Sequence, residues 1–170
     1  MSIVFYGCMS MDGYLADRNH QLEWLYQSGT PAETDYDAFY ARMDVTLMGK
    51  RTYDTIKDVP GISKMYQSTR NYVFTHQTSP LLAGFTAVHG DICELAVSFK
   101  PSNIWVIGGN TILKPLLEAD LMDELIIQVA PVLLGKGIPL FTQDEGERRF
   151  KLMQVKQYAQ FAEMTFHRYQ

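Results

Sequence analysis

The sequence predicts an α/β domain: a largely parallel mixed sheet, helices on both faces and an antiparallel hairpin at the C-terminal end. Three observations predict it. Short runs rich in Val, Ile, Phe and Tyr alternate with helical segments along most of the chain. Twice an apolar run ends in glycine and passes straight into a helix start, at Val45-Thr46-Leu47-Met48-Gly49-Lys50-Arg51-Thr52 and at Ile104-Trp105-Val106-Ile107-Gly108-Gly109-Asn110-Thr111. From residue 124 onward the pattern changes to strand, glycine-rich connection, strand and strand, and 160–169 alternate residue by residue.

Strand-like runs fall at 2–9, 45–48, 71–75, 104–107, 124–132 and 161–169, with weaker ones at 85–88 and 150–158. A helix over 34–43 carries Tyr36, Phe39, Tyr40 and Met43 at spacings of three and four, with Thr34 or Asp35 as its N-cap. The next, over 52–59, follows the first glycine junction and ends before Pro60-Gly61. A third starts on the acidic cap Asp91 and stops at Lys100-Pro101, and a fourth, over 111–119, presents Ile112, Leu113, Leu116 and Leu117 as a core stripe. The connection Leu134-Gly135-Lys136-Gly137-Ile138-Pro139 reads as flexible, either a functional loop or a simple turn. No Ser/Pro-rich linker or internal repeat divides the chain, so residues 1–170 read as one domain.

Composition narrows the function classes. A chain of 170 residues can bury roughly two-thirds of the surface its unfolded form exposes, enough for a real core. With 46% hydrophobic and 20% charged residues it matches ordinary soluble usage, which argues against disorder. A net charge of −4 supplies no basic field for nucleic acid or anionic membrane, so the basic residues near position 50 are a local feature. Cys8 and Cys93 lack any metal-ligand spacing and read as buried thiols in a reducing compartment. The apolar N-terminus has no basic flank and is interrupted at Ser10 and Asp12, which makes it a strand rather than a signal peptide. No apolar run reaches the roughly 18 residues of a membrane span, and the expected location is the cytoplasm.

The glycine junctions carry the chemistry. A helix N-terminus leaves its first N–H groups unpartnered and carries about half a positive charge, so it attracts phosphate, and glycine lets a ligand approach the backbone. Lys50 and Arg51 stand at the end of a helix that disfavours cations, a conflict an anion would remove. The plainer reading makes them solvated surface residues. Two junctions in one small domain favour a phosphorylated cofactor, although the GxGxxG dinucleotide fingerprint is missing.

Four stretches resemble the dihydrofolate-reductase-like superfamily, and within it the stand-alone relatives of the reductase domain of the bifunctional riboflavin-biosynthesis deaminase/reductase. They are residues 10–17 (Ser-Met-Asp-Gly-Tyr-Leu-Ala-Asp), 47–53 (Leu-Met-Gly-Lys-Arg-Thr-Tyr), 106–112 (Val-Ile-Gly-Gly-Asn-Thr-Ile) and 130–141 (Ala-Pro-Val-Leu-Leu-Gly-Lys-Gly-Ile-Pro-Leu-Phe). The resemblance implies a dihydrofolate-reductase-like three-layer fold and hydride transfer from NADPH to a small heterocyclic or ribosylamino-pyrimidine-like substrate. It places Gly49, Lys50, Arg51 and Thr52 around the 2′-phosphate and pyrophosphate, and Phe74, Thr75 and His76 on the adenosine side. Ile107, Gly108, Gly109, Asn110 and Thr111 would lie under the pyrophosphate and nicotinamide, with a cis bond between the two glycines. Cys8, Leu15 and Ala16 would line the nicotinamide pocket, Cys8 as a wall residue and not a nucleophile. Plainer readings stand beside these: His76 simply exposed after a strand, Gly108-Gly109 a tight turn.

On the substrate side the resemblance points to Asp35, which matches the position of the folate enzymes' buried acid; burial would raise its pKa and suit it to proton relay. The alternative is a helix cap. The stretch from Asp35 to Gly49 is shorter than in the folate enzymes, and Arg70 is displaced from the arginine that grips the folate tail, so folate reduction is the second choice. The deaminase zinc signature is absent, and no metal is expected. A non-catalytic NADPH-binding protein and a dimeric interaction domain complete the alternatives. The branch implies a homodimer, with 129–141 as candidate surface.

Overall fold

The computed structural model describes residues 1–142 and 146–169. In chain order the elements are β1 (Ile3–Ser10), β2 (Tyr14–Asp17), α1 (Glu23–Tyr26), a 3-10 turn (Pro31–Glu33), α2 (Tyr36–Tyr40), β3 (Val45–Gly49), α3 (Lys50–Ile56) and α4 (Ile62–Met65). There follow β4 (Arg70–Phe74), β5 (Phe85–Val88), α5 (Ile92–Ser98), β6 (Ile104–Gly108), α6 (Asn110–Glu118), β7 (Glu124–Ala130), β8 (Gly137–Pro139), β9 (Phe150–Tyr158) and β10 (Phe161–Arg168).

Eight strands form one sheet in the order β5-β4-β3-β6-β1-β7-β10-β9. The strands from β5 to β7 are parallel, and β10 and β9 add antiparallel at the far edge, as the change of pattern after residue 124 predicts. Alternation along β1 assigns the two layers. Ile3 and Phe5 face a core with Leu47, Val106, Ile127 and the stripe Ile112, Leu113, Leu116 and Leu117 of α6, together with Ile92 and Ala96 of α5. Each side chain of that stripe contributes about 1.5–3 kcal/mol by leaving water. Val4 and Tyr6 face the opposite core, built from Phe39 of α2, Tyr53 of α3, Ile62 of α4 and the sheet residues Met48, Val73 and Trp105. Here aromatic rings do most of the filling: Phe39 stacks on Tyr6 at 4.4 Å and meets Trp105 edge-on at 5.4 Å, while the Trp105 indole N–H donates to the Tyr6 carbonyl.

The structure revises two local expectations. The second helix is shorter than the aromatic spacing suggests, because Asp35 sits at its N-cap position without a side-chain capping bond and the chain leaves helical geometry after Tyr40. By contrast, Asp91 does cap α5, accepting from the N–H groups of Cys93 and Glu94. The connection 134–139 is no mere turn: its second half is β8, which pairs antiparallel with β2 in a separate two-stranded sheet. Among the described residues no helix is long and apolar enough to cross a membrane.

Candidate functional site

The two glycine junctions meet. Strands β3 and β6 are neighbours, with Leu47 opposite Val106 and Met48 opposite Gly108. Yet α3 leaves β3 toward the Tyr53 core, whereas α6 leaves β6 toward the opposite face. Adjacent parallel strands whose helices depart to opposite faces open a crevice at their carboxyl ends, where α/β sheets bind ligands.

Small residues keep that crevice clear. A Cβ at Gly108 would meet nothing within 4 Å, and one at Gly109 only the Thr52 hydroxyl at 3.8 Å. Gly108 has φ +114, a conformation that L side chains rarely adopt, and its bond to Gly109 is cis. Gly109 is the N-cap of the nine-residue α6 and offers no side-chain acceptor; the Ile112 and Leu113 N–H groups donate to its carbonyl, which leaves those of Asn110 and Thr111 for a ligand. Asn110 instead anchors the junction to a distant stretch, donating from Nδ2 to the Pro139 carbonyl at 3.0 Å.

The basic pair divides its labour. Lys50 Nζ lies 2.6 Å from both carboxylate oxygens of Asp54, one turn on, and this contact is the first cause that holds the Asp54 carboxyl below its usual range. Arg51 is exposed and makes no side-chain hydrogen bond or ion pair among the described residues. Of the two cations it is the one whose charge is uncommitted. Next along the edge, Thr75 is buried after β4, its hydroxyl oxygen accepting from the Gln77 N–H, which leaves the hydroxyl proton to donate. Phe74 packs against the α6-side core, and His76 is exposed with its ring 6.5 Å from that of Phe74. Ile107 is half-buried and Thr111 exposed.

On the other side of β6, strand β1 carries Cys8 to the same end of the sheet. Cys8 packs against the cluster of Trp24, Ala130 and Phe161, and burial pushes its thiol up to about 12, so it stays protonated. Leu15 and Ala16 sit on β2, which β8 holds in place. The close approach there demands glycine: a Cβ at Gly137 would lie 2.3 Å from the Ala16 carbonyl oxygen and 3.1 Å from Tyr14 Cβ. Asp12 ties the same segments together, accepting from the Ser10 hydroxyl at 2.6 Å and from the N–H groups of Leu134 and Gly135. Those bonds, Ser10 first, hold its carboxyl below the usual range. Three of the four recognisable stretches thus touch one another directly, and the fourth meets them where Thr52 faces Gly109.

Asp35 corrects an expectation. Its side chain is exposed and bonded to Lys156 Nζ at 2.8 Å and to the Tyr158 hydroxyl, which together hold its pKa down, Lys156 foremost. Burial does not raise it. Arg70 is also away from the crevice: it starts β4 at the amino end of the parallel strands, where it donates to Ser102 and lies over the Phe99 ring. Residues that sequence reasoning missed include Trp24, Gln128 and Glu163. Polar residues on a strand read as a solvent face, yet Gln128 and Glu163 are buried side by side.

Comparison with known proteins agrees with this geometry. Residues 94–162 match the family model of the RibD C-terminal domain. The Bacillus subtilis (strain 168) protein YwjB, itself uncharacterized, is 31% identical over 170 residues, covering 96% of this chain and 95% of that protein. The chain belongs to the RibD C-terminal domain family. A Shewanella sp. PV-4 protein, provisionally named for riboflavin biosynthesis, superposes on this RibD-type chain with a TM-score of 0.83 at 27% identity, over 100% of both. Acinetobacter baumannii RibD gives 0.74 at 18% identity, covering 99% of this chain and 58% of the longer protein. Enterococcus faecalis dihydrofolate reductase, solved with NADP(H), gives 0.64 at 14% identity over 99% of this chain and 97% of its own; these last two likenesses concern the fold.

Proposed function

We propose that this RibD-type domain is an NADPH-dependent reductase that passes hydride to a small heterocyclic substrate, of the kind that reduces a ribosylamino-pyrimidine in riboflavin biosynthesis. The observation that carries the reading is the convergence of both glycine junctions on one crevice between β3 and β6. Candidate contacts run from Thr75 past Gly49 and Gly109 to Cys8, across four neighbouring strands. At ~4.8 Å per strand that path is about 14 Å, which suits an extended dinucleotide better than a single phosphate. In this reading Arg51 meets the 2′-phosphate, the N–H groups of α6 meet the pyrophosphate, and Cys8, Leu15 and Ala16 keep water from the nicotinamide. Bound NADPH would supply the hydride; the chain supplies position, since transfer needs donor and acceptor held about 3–3.5 Å apart.

NADPH titration tests it. Trp24 packs on Cys8, so cofactor binding should quench indole fluorescence, and turnover against a carbonyl and pteridine panel should follow. Arg51→Ala removes a charge-assisted bond worth roughly 1.5–3 kcal/mol and should weaken NADPH about ten- to a hundredfold while NADH barely changes. No quenching at millimolar NADPH refutes the reading. The exposure of Asp35 favours a second one, a protein that binds NADPH without turnover.

A further inference from the structure

Beside the nicotinamide wall, on the sheet face that α2 covers, lies a buried polar group that the cofactor contacts leave unused. Cys8, Gln128 and Glu163 stand in register across β1, β7 and β10. Gln128 and Glu163 are 7% and 6% exposed, which for a carboxylate is costly unless something answers its charge. Nothing in the described chain does so fully. The in-register cation, Lys156, turns to Asp35, 2.8 Å away, and the one hydrogen bond that reaches Glu163 comes from the neutral Gln128 amide, 2.9 Å from Oε2. That amide nitrogen spends its other hydrogen on the Tyr6 hydroxyl at 2.8 Å. Gln128 Oε1 and Glu163 Oε1 therefore remain as acceptors without a donor among the described residues.

A second observation comes from the neighbouring residue pair. Two residues further along the same faces of β7 and β10, about 7 Å away, Ala130 and Phe161 carry Trp24. The Trp24 indole N–H is buried and has no acceptor in the structure, while the ring itself is 8% exposed. Two side chains with acceptor atoms to spare, and a buried donor that has no partner, thus occupy neighbouring positions on one sheet face, next to Cys8.

We infer that Glu163, oriented by Gln128 and Tyr6, is the group that grips the hydride acceptor, and that the acceptor is a planar heterocycle presenting an N–H edge to Glu163 and a carbonyl oxygen to Trp24. This rests on the reductase reading for the position of the nicotinamide; the hydrogen-bond complementarity stands without it. Gln128 is a positioning residue, acting through Glu163. Asp35 and Lys156 answer each other at the rim and take no part in the grip.

The test uses two probes, a diaminopyrimidinone and its ring-N-methylated counterpart, whose donor edge is blocked. Binding is measured by thermal shift and calorimetry with and without NADP+. Wild type should prefer the unmethylated probe, and Glu163→Gln should weaken that probe about ten- to a hundredfold, with the preference lost and NADP+ affinity unchanged. Trp24→Phe keeps an aromatic ring and removes the unpaired N–H, so any cavity cost is offset in part, and the folded variant should bind the probe less tightly. Where turnover is measurable, Glu163→Gln should raise KM more than it lowers kcat. Equal binding of both probes by wild type, or unchanged binding in both variants, overturns the inference. Failure to bind NADP+ counts against the reductase reading alone, because probe discrimination is read separately.

Discussion

Gly137→Ala tests how the wall of the crevice is built. The added Cβ would lie 2.3 Å from the Ala16 carbonyl oxygen, whereas carbon and oxygen settle at about 3.3 Å, so β2 and β8 must part by about 1 Å. Tyr14 Cβ and Cγ, both at 3.1 Å, block the nearest sideways escape. Overpacking of this kind costs about 1–3 kcal/mol. The β2–β8 ribbon is a separate two-stranded sheet, so the damage should be local, and the loss in global urea stability should fall at the lower end of that range. The ribbon carries Leu15 and Ala16, and a shift of about 1 Å near a reacting centre can cost about a hundredfold in turnover. Urea unfolding, NADPH titration and hydrogen exchange at Ala16 and Asp17 form the assay. Wild-type values in all three would refute the claim that this close approach fixes the wall.

Three further outcomes follow from the electrostatics. The Asp12 carboxyl is held low by Ser10 and two backbone N–H groups, so its contribution to stability is present above the unfolded pKa of about 3.9 and is lost as pH falls through the lower folded value; Asp12→Asn should flatten that part of the curve of melting temperature against pH. Asp35→Asn should leave turnover far short of the roughly 10²- to 10⁴-fold loss expected for a general acid, and steady-state kinetics at several pH values checks this. Cys8, pushed up to about 12, should resist alkylation at neutral pH as followed by mass spectrometry, and rapid labelling of the folded protein would contradict its burial.

What could be read from the sequence was whatever depends on short-range pattern. The parallel strands show as apolar runs because both their faces are covered, and the glycine junctions show because each is contiguous. The β2–β8 ribbon did not show, since strands of four and three residues have too little length for periodicity and pair across some 120 positions. Asp35 was misplaced for a related reason. Whether a residue at a helix start is buried depends on what lies across from it, here Lys156 and Tyr158 from the far end of the chain. Glu163 and Gln128 were missed because a polar residue on a strand looks solvated until Trp24, packed on Ala130 and Phe161, and Thr34, bonded to the Tyr6 hydroxyl, are known to lie nearby.

Asp35 and Glu163 together bear on whether this chain turns over a substrate or only holds a cofactor. A cofactor holder needs the crevice between β3 and β6 and nothing more. It would have no use for a largely buried carboxylate answered by one neutral amide, or for a buried indole N–H answered by nothing, the latter costing about 1–3 kcal/mol as an unpaired group. Replacing such groups by shape-matched neutral ones is often neutral or stabilising. If Glu163→Gln raises the melting temperature and also removes the preference for a heterocycle with a free N–H edge, the cost is being retained for a ligand beside Cys8. Gains in stability with probe binding intact would instead identify these groups as structural, and the exposed Asp35 would then weigh toward a protein that binds NADPH without reducing anything.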